Sequence, residues 1–254
     1  MGKKKQTVRA WAVIFWLIVW QAASMALSAA YTHGSLLLAS PIDAAKCLFQ
    51  LVQTADFWLS VANSAARILG GFAISLALAL ILASLSSRFS LVEQLLAPLV
   101  AAVKAVPVAS FIILALVWLT GRSLSLFISA LMVFPPIYLN MLEGIRRTDV
   151  KLIEMARVYR VPFARRLAGI YVPQVLPYFR SAVSTALGLC WKAGTAAEVI
   201  GLCDGTIGER LYTAKVYFQT PELFAWTAVI VLISAGFEKL FLLLVDRLSE
   251  RIGA

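Results

Sequence analysis

Residues 10–31 contain no charged side chain, and comparably long, predominantly apolar runs recur at 56–85, 91–119, 123–142, 170–200 and 221–245. Runs of this length fit the roughly 20 residues that cross a hydrocarbon core about 30 Å thick. In lipid every backbone polar group needs an internal partner, and helices supply it within one segment. The chain is therefore expected to be all-α, a polytopic membrane protein with six transmembrane helices forming one transmembrane domain over residues 1–254. Composition agrees: charged residues make up 14 % and mean hydropathy is +0.86, against about 25 % charged residues in soluble domains. For the first run a signal peptide is the competing reading, since Ser28-Ala29-Ala30 fits a cleavage site. The run exceeds the roughly 7–15 residues of a signal h-region and is read as the first span.

A formal net charge of +10 raises the question of nucleic acid, but the basic residues fall in the breaks between apolar runs, where they orient a membrane protein. With the N-terminus inside, the inner segments hold Lys3, Lys4, Lys5, Arg9, Arg88, Arg146, Arg147, Lys151, Arg157, Arg160, Arg165, Arg166, Arg247 and Arg251. The outer segments hold Lys46, Arg122, Arg210 and Lys215. This asymmetry predicts cytoplasmic termini and no nucleic-acid partner. Cys47, Cys190 and Cys203 lack a CxxC spacing and His33 stands alone, so neither a metal site nor a cofactor is expected. A Cys47–Cys203 disulfide on an oxidising face stays open.

The stretch between the fourth and fifth runs, 144–169, is basic and amphipathic. It reads Glu154-Met155-Ala156-Arg157-Val158-Tyr159-Arg160, with Ile170-Tyr171-Val172-Pro173 following nine residues later. This resembles the Glu-Ala-Ala-x3-Gly-x9-Ile-x-Leu-Pro coupling loop of binding-protein-dependent ABC importer permeases. Glu154, Ala156, Ile170 and Pro173 match at the family spacing, and Arg160 departs from it by standing where the family has glycine. The resemblance implies a type I permease fold and short coupling helices, carrying Glu154, Ala156, Arg157 and Arg160, that seat in a groove of an ATPase subunit. Pro162 is expected to supply the break that the missing glycine would make, by biasing Val161 away from helical geometry. A basic amphipathic helix lying on anionic lipid is the alternative, but lipid does not require that spacing.

Lys104-Ala105-Val106-Pro107, Trp118-Leu119-Thr120-Gly121 and Phe134-Pro135-Pro136-Ile137-Tyr138-Leu139-Asn140 extend the likeness to the nitrate/sulfonate/taurine branch. That branch implies a homodimer in the bacterial inner membrane, working with two ATP-binding cassette subunits and an external solute-binding protein. Its implied cargo is a small organic or inorganic anion such as nitrate, a sulfonate or taurine; vitamin precursors and aromatic compounds are the alternative. The sequence contains no G-x4-G-K-[ST] phosphate loop, so ATP hydrolysis is expected in a partner and no catalytic residue in this chain. A secondary transporter, the rival from another class, calls for mid-membrane acidic sites and two related halves, and neither is visible.

Charges inside spans are costly and therefore informative. Arg67, Lys104, Arg180 and Lys192 qualify; Arg180 is close enough to a span end to snorkel, and adjacent Glu238 and Lys239 neutralise each other. The fifth run is rich in small residues between Ser181 and Ala197, as helices packed closely in lipid are. Lys192 has no acid at i±3 or i±4. With Gly188 and Thr195 it forms the candidate pathway site.

Overall fold

The computed structural model describes residues 10–31 and 34–252 and is helical throughout them. Lys3, Lys4, Lys5, Arg9 and His33, which entered the charge and metal arguments, lie outside the described residues. In chain order the helices are α1 (Ala10–Ala30), α2 (Gly34–Leu37), α3 (Pro41–Val52), α4 (Ala55–Arg88), α5 (Ser90–Ala105) and α6 (Val108–Ala115). They continue as α7 (Gly121–Arg146), α8 (Val150–Val158), α9 (Phe163–Arg166), a π turn at Leu167–Tyr171, α10 (Val172–Ile200), α11 (Ile207–Val216) and α12 (Thr220–Ile252). Polar residues start them where expected: Ser40, Thr54, Asp149 and Thr206 each accept a backbone N–H from the first turn of α3, α4, α8 and α11.

Among the described residues, four helices are long and apolar enough to cross a membrane: Trp11–Ala30, Ala55–Arg88, Ser123–Arg146 and Thr220–Arg247. A fifth span is available if α5 and α6 are one crossing, but they meet at 106°. The run at 91–119, expected to form one helix, is thus broken into two. Pro107 cannot donate to a preceding carbonyl, and it drives Val106 to extended geometry at φ −82°, ψ 133°. Pro98, by contrast, is accommodated inside α5, and Pro135 and Pro136 inside α7. The helix expected at 170–200 is present as α10, yet it is too polar to count as a span on composition alone. Of its polar residues Thr195 and Glu198 are buried, whereas Arg180, Ser181, Thr185 and Lys192 are exposed. Between the apolar runs, the segment 201–220 contains α11, and 32–55 contains α2 and α3.

The core is a three-helix packing of α4, α7 and α10. Ile68 and Phe72 from α4, Val133 and Ile137 from α7, and Leu187 and Trp191 from α10 lie in one buried cluster. Small residues let the helices approach, as in lipid they must. A Cβ at Gly194 would lie 2.5 Å from both Ile68 Cγ1 and Ser129 Oγ, so no larger residue fits that crossing. Around this core, α6 packs on α7 and α10 through Ile112 and Ala115. The first half of α12 joins α3, α11 and the start of α4, with Phe57 stacked on Trp226 at 5.0 Å. α1 packs on α2 and α3, meets α12 where Trp20 lies 5.1 Å from Phe224, and is largely uncovered.

Candidate functional site

At one end of the core, α8, α9 and the π turn connect α7 to α10. Asp149 opens α8, its Oδ1 accepting from Lys151 N at 2.8 Å, while its own N–H donates to Gln174 Oε1 of α10 at 2.8 Å. α8 ends in a Schellman turn. Arg160 N–H donates to Arg157 O at 3.0 Å and Val161 N–H to Ala156 O at 2.9 Å, with Arg160 itself in the left-handed region at φ +49°. The turn is therefore made at the position where the resembled motif has glycine, by an arginine in the conformation that glycine would adopt freely. Pro162 does not replace it; at φ −57° and ψ 147° it starts α9. The expected division of labour is corrected accordingly.

Ala156 is buried at the base of α8, whereas Glu154, Arg157 and Arg160 are exposed. Among the described residues none of these three charges has an ion-pair partner. Beside them stand apolar side chains in the open: Val158 is 78 % and Tyr159 76 % exposed, followed by Phe163. Farther along, Ile170 and Pro173 are half-buried on either side of the π turn, where Val172 N–H reaches back to Leu167 O. Pro173 has no N–H for the carbonyl of Gly169, and a wider turn is one way a helix absorbs such a break.

The second candidate lies on α10. Lys192 is exposed on the single subunit, and a Cβ built on Gly188, one turn away, would meet nothing within 4 Å. These two share an open face with Ser181 and Thr185, both exposed. Thr195 does not join them. It is only 7 % exposed, and its hydroxyl donates to Trp191 O at 2.7 Å on its own helix. Of the other intramembrane charges, Lys104 and Lys239 are exposed and have no ion-pair partner among the described residues, while two arginines find partners within the subunit. Arg180 pairs with Asp246 of α12 at 2.9 Å, and Arg67 Nη2 lies 3.5 Å from Asp204 O. Glu238 accepts from Ser184 of α10 at 2.5 Å and makes no ion pair with Lys239, contrary to the expected local neutralisation.

Sequence reasoning passed over Glu198, which is fully buried and accepts from Ser64 Oγ of α4 at 2.7 Å. The available signal was a lone acid in a span, which is a functional pointer by default. Outside it, a polar cavity of about 690 Å³ opens among Asn63, Arg67, Thr120, Gly201 and Asp204. No disulfide joins Cys47 to Cys203: both are free, and Cys203 is 1 % exposed. Burial, with the Glu198 carboxylate adding to it, pushes the Cys203 thiol up to about 11.

The amino-acid sequence is similar to those of known proteins. Residues 75–254 match the family described as binding-protein-dependent transport system inner membrane component. A permease named for aliphatic sulfonate transport, SsuC of Escherichia coli (strain K12), is 33 % identical over 203 residues, 80 % of this chain and 75 % of that one. The riboflavin transport system permease protein RibX of Chloroflexus aurantiacus is 30 % identical over 219 residues, 86 % and 80 % of the two chains. The bicarbonate transport system permease protein CmpB of Synechococcus elongatus is 27 % identical over 192 residues, 75 % and 66 %. With the family match covering well over half of its length, this chain belongs to the binding-protein-dependent transport permeases, and is the membrane component of an ABC importer rather than its ATPase.

Proposed function

We propose that the chain forms the translocation pathway for a small anionic solute, such as a sulfonate, nitrate or taurine, and works as a homodimer. One transmembrane domain of six spans counts α5–α6 as one crossing and α10 as another, with both termini cytoplasmic. The α8–α9 segment then faces two ATP-binding cassette subunits, and α11 faces an external solute-binding protein. Alternating access arises as the ATPases close and open beneath α8 and tilt α10.

Lys192 carries the reading of the solute. Eight residues before Ile200, it lies about 12 Å below the end of α10 at the helical rise. An ammonium at that depth cannot rest against lipid cheaply, and its own subunit supplies no counter-charge among the described residues. The open space at Gly188 leaves room beside it for a solute or for the second subunit. An anion passing this face would find a cation in a weakly screened environment. The likeness to RibX favours one second reading, an aromatic vitamin or precursor on the same machinery.

Uptake of labelled taurine, an alkanesulfonate, nitrate and riboflavin into cells expressing the complete transporter separates these readings. Uptake of an anion, lost in both Lys192→Gln and Lys192→Glu with assembly intact, supports the pathway cation. Normal anion uptake by Lys192→Gln, or uptake of riboflavin alone, removes it.

A further inference from the structure

The buried carboxylate of Glu198 joins three helices. Its Oε2 accepts from Ser64 Oγ of α4 at 2.7 Å and from Gly208 N–H of α11 at 3.3 Å. Ser64 Oγ in turn accepts from Ile207 N–H at 2.9 Å, and the Thr206 hydroxyl accepts from Glu209 N–H at 3.2 Å. The leading N–H groups of a helix have no intrahelical acceptors; here those of α11 are taken by α4, by α10 and by its own cap. The carboxylate also lies at the positive end of the α11 dipole. Glycine makes the approach possible, because a Cβ on Gly208 would fall 2.2 Å from Glu198 Cβ. The connecting strand is held as well: Asn63 Nδ2 donates to Gly205 O at 2.9 Å, and Cys203 N–H to Glu198 O at 3.1 Å.

We propose that Glu198 is a positioning residue that latches α11 to the pathway helix, so that the external segment 201–216 and α10 move as one body during transport. Burying a carboxylate is costly unless its hydrogen bonds are made; here Oε2 has two and Oε1 has none among the described residues. Packing alone would be served by an apolar side chain, whereas these bonds are directed at the start of α11 and at α4. Ser64 is the second member, since one hydroxyl both donates to Glu198 and accepts from α11. A binding protein resting on the external segment thereby acts on α10, and through it on Lys192. The last step rests on the pathway reading above; the latch itself does not.

Two native cysteines report on it. Cys203 lies under the latch and Cys190 in the α4–α7–α10 core, both buried. In a Cys47→Ala background, labelling by a membrane-impermeant maleimide at Cys203, and by a permeant one at Cys190, is read by peptide mass spectrometry. Glu198→Ala and Ser64→Ala are expected to speed Cys203 labelling about tenfold or more, the cost of freeing buried N–H groups, with Cys190 unchanged. Glu198→Gln, which keeps an acceptor oxygen, is expected to restore most of the protection. Cys203 labelling as slow as in the parent, or Cys203 and Cys190 rising together, overturns the proposal, the second because Glu198 then holds the whole bundle.

Movement as one body is tested in the transporter purified with its ATPase, nucleotide-free and vanadate-trapped. Cys203 is expected to stay protected in both states, while Lys192→Cys changes its labelling between them. Exposure of Cys203 in either state overturns the coupled movement. An unchanged rate at position 192 instead counts against α10 as the pathway helix, and the latch then stands or falls by the Glu198→Ala result.

Discussion

The two ends of α10 handle polar groups in opposite ways. At the α8 end, Glu154, Arg157 and Arg160 stand exposed and without ion-pair partners among the described residues, beside the exposed side chains of Val158 and Tyr159. At the α11 end, Glu198, Ser64 and Thr206 are buried; Ser64 donates to Glu198 and accepts from Ile207 N–H, and Thr206 donates to Cys203 O. Both ends nevertheless use the same turn. α8 closes on Arg160 at φ +49° and α10 on Leu202 at φ +47°, each followed by the long backbone bond of a Schellman motif, Val161 to Ala156 and Cys203 to Glu198. Similar backbone geometry thus serves an exposed surface and a buried joint, in which Glu198 Oε2 is bonded and Oε1 is left without a partner among the described residues. What differs is where the side chains find their partners.

The largest expected effect is at the closed end. Gly208→Ala pushes a methyl into Glu198 and should cost about 1–3 kcal/mol of local stability, as overpacking does. Faster labelling of Cys203 measures it; a tolerated substitution with Cys203 still protected would mean that α11 does not sit tightly on α10.

At the open end, Tyr159→Ala should leave folding and membrane yield unchanged, because the side chain packs on nothing in this subunit, yet weaken ATPase binding. An aromatic anchor at an interface is worth about 2 kcal/mol or more, so a roughly thirtyfold loss in a titration of detergent-solubilised permease with ATPase is expected. Equal affinity would make the exposed aromatic a lipid contact instead. Arg160→Gly is a smaller change and of opposite sign. It relieves a left-handed non-glycine residue, whose strain is of order 1 kcal/mol, and should be neutral to stabilising by thermal unfolding of the purified permease. Marked destabilisation would mean that the arginine side chain, and not the turn, is what the position needs.

The smallest effect concerns thiol reactivity. Burial, then the nearby Glu222 charge, holds the half-buried Cys47 thiol above its usual range. At neutral pH an impermeant reagent applied outside should therefore label Cys47 slowly, more quickly as pH rises, and should leave Cys203 untouched. Rapid labelling of Cys203 in the parent protein would erase the contrast between the two ends.

Much of the fold could be read from where charges are missing, because a bilayer punishes each misplaced one. The runs at 10–31, 56–85 and 221–245 reappear as α1, α4 and α12. Proline was less legible: Pro98, Pro135 and Pro136 lie inside helices while Pro107 breaks one through 106°, and nothing local in the sequence separates these cases. α11 hid in a segment whose polar residues look like loop until Ser64 and Glu198 accept its first N–H groups. Ser64 lies 143 residues from Ile207 and Glu198 ten from Gly208, and helical spacing reports only on neighbours three and four apart. The same limit explains Glu238, whose partner Ser184 lies on another helix, and Thr195, whose hydroxyl turns back on its own. Glu154, Ala156, Ile170 and Pro173 were legible by spacing alone; that Arg160 makes the turn was not, since arginine rarely takes the left-handed conformation.

Association with the ATPase tests the open end most directly. Epitope-tagged permease, co-expressed with the ATPase that works with it, is purified in mild detergent as the parent and as Glu154→Lys, and the ATPase retained per permease is measured beside transport in the same cells. Charge reversal on the exposed face of α8 is expected to leave the permease in the membrane at parental yield, strip most of the ATPase from it and abolish uptake. Full retention of the ATPase with normal uptake would contradict the assignment of the α8 segment as the place where ATP hydrolysis is coupled to the pathway.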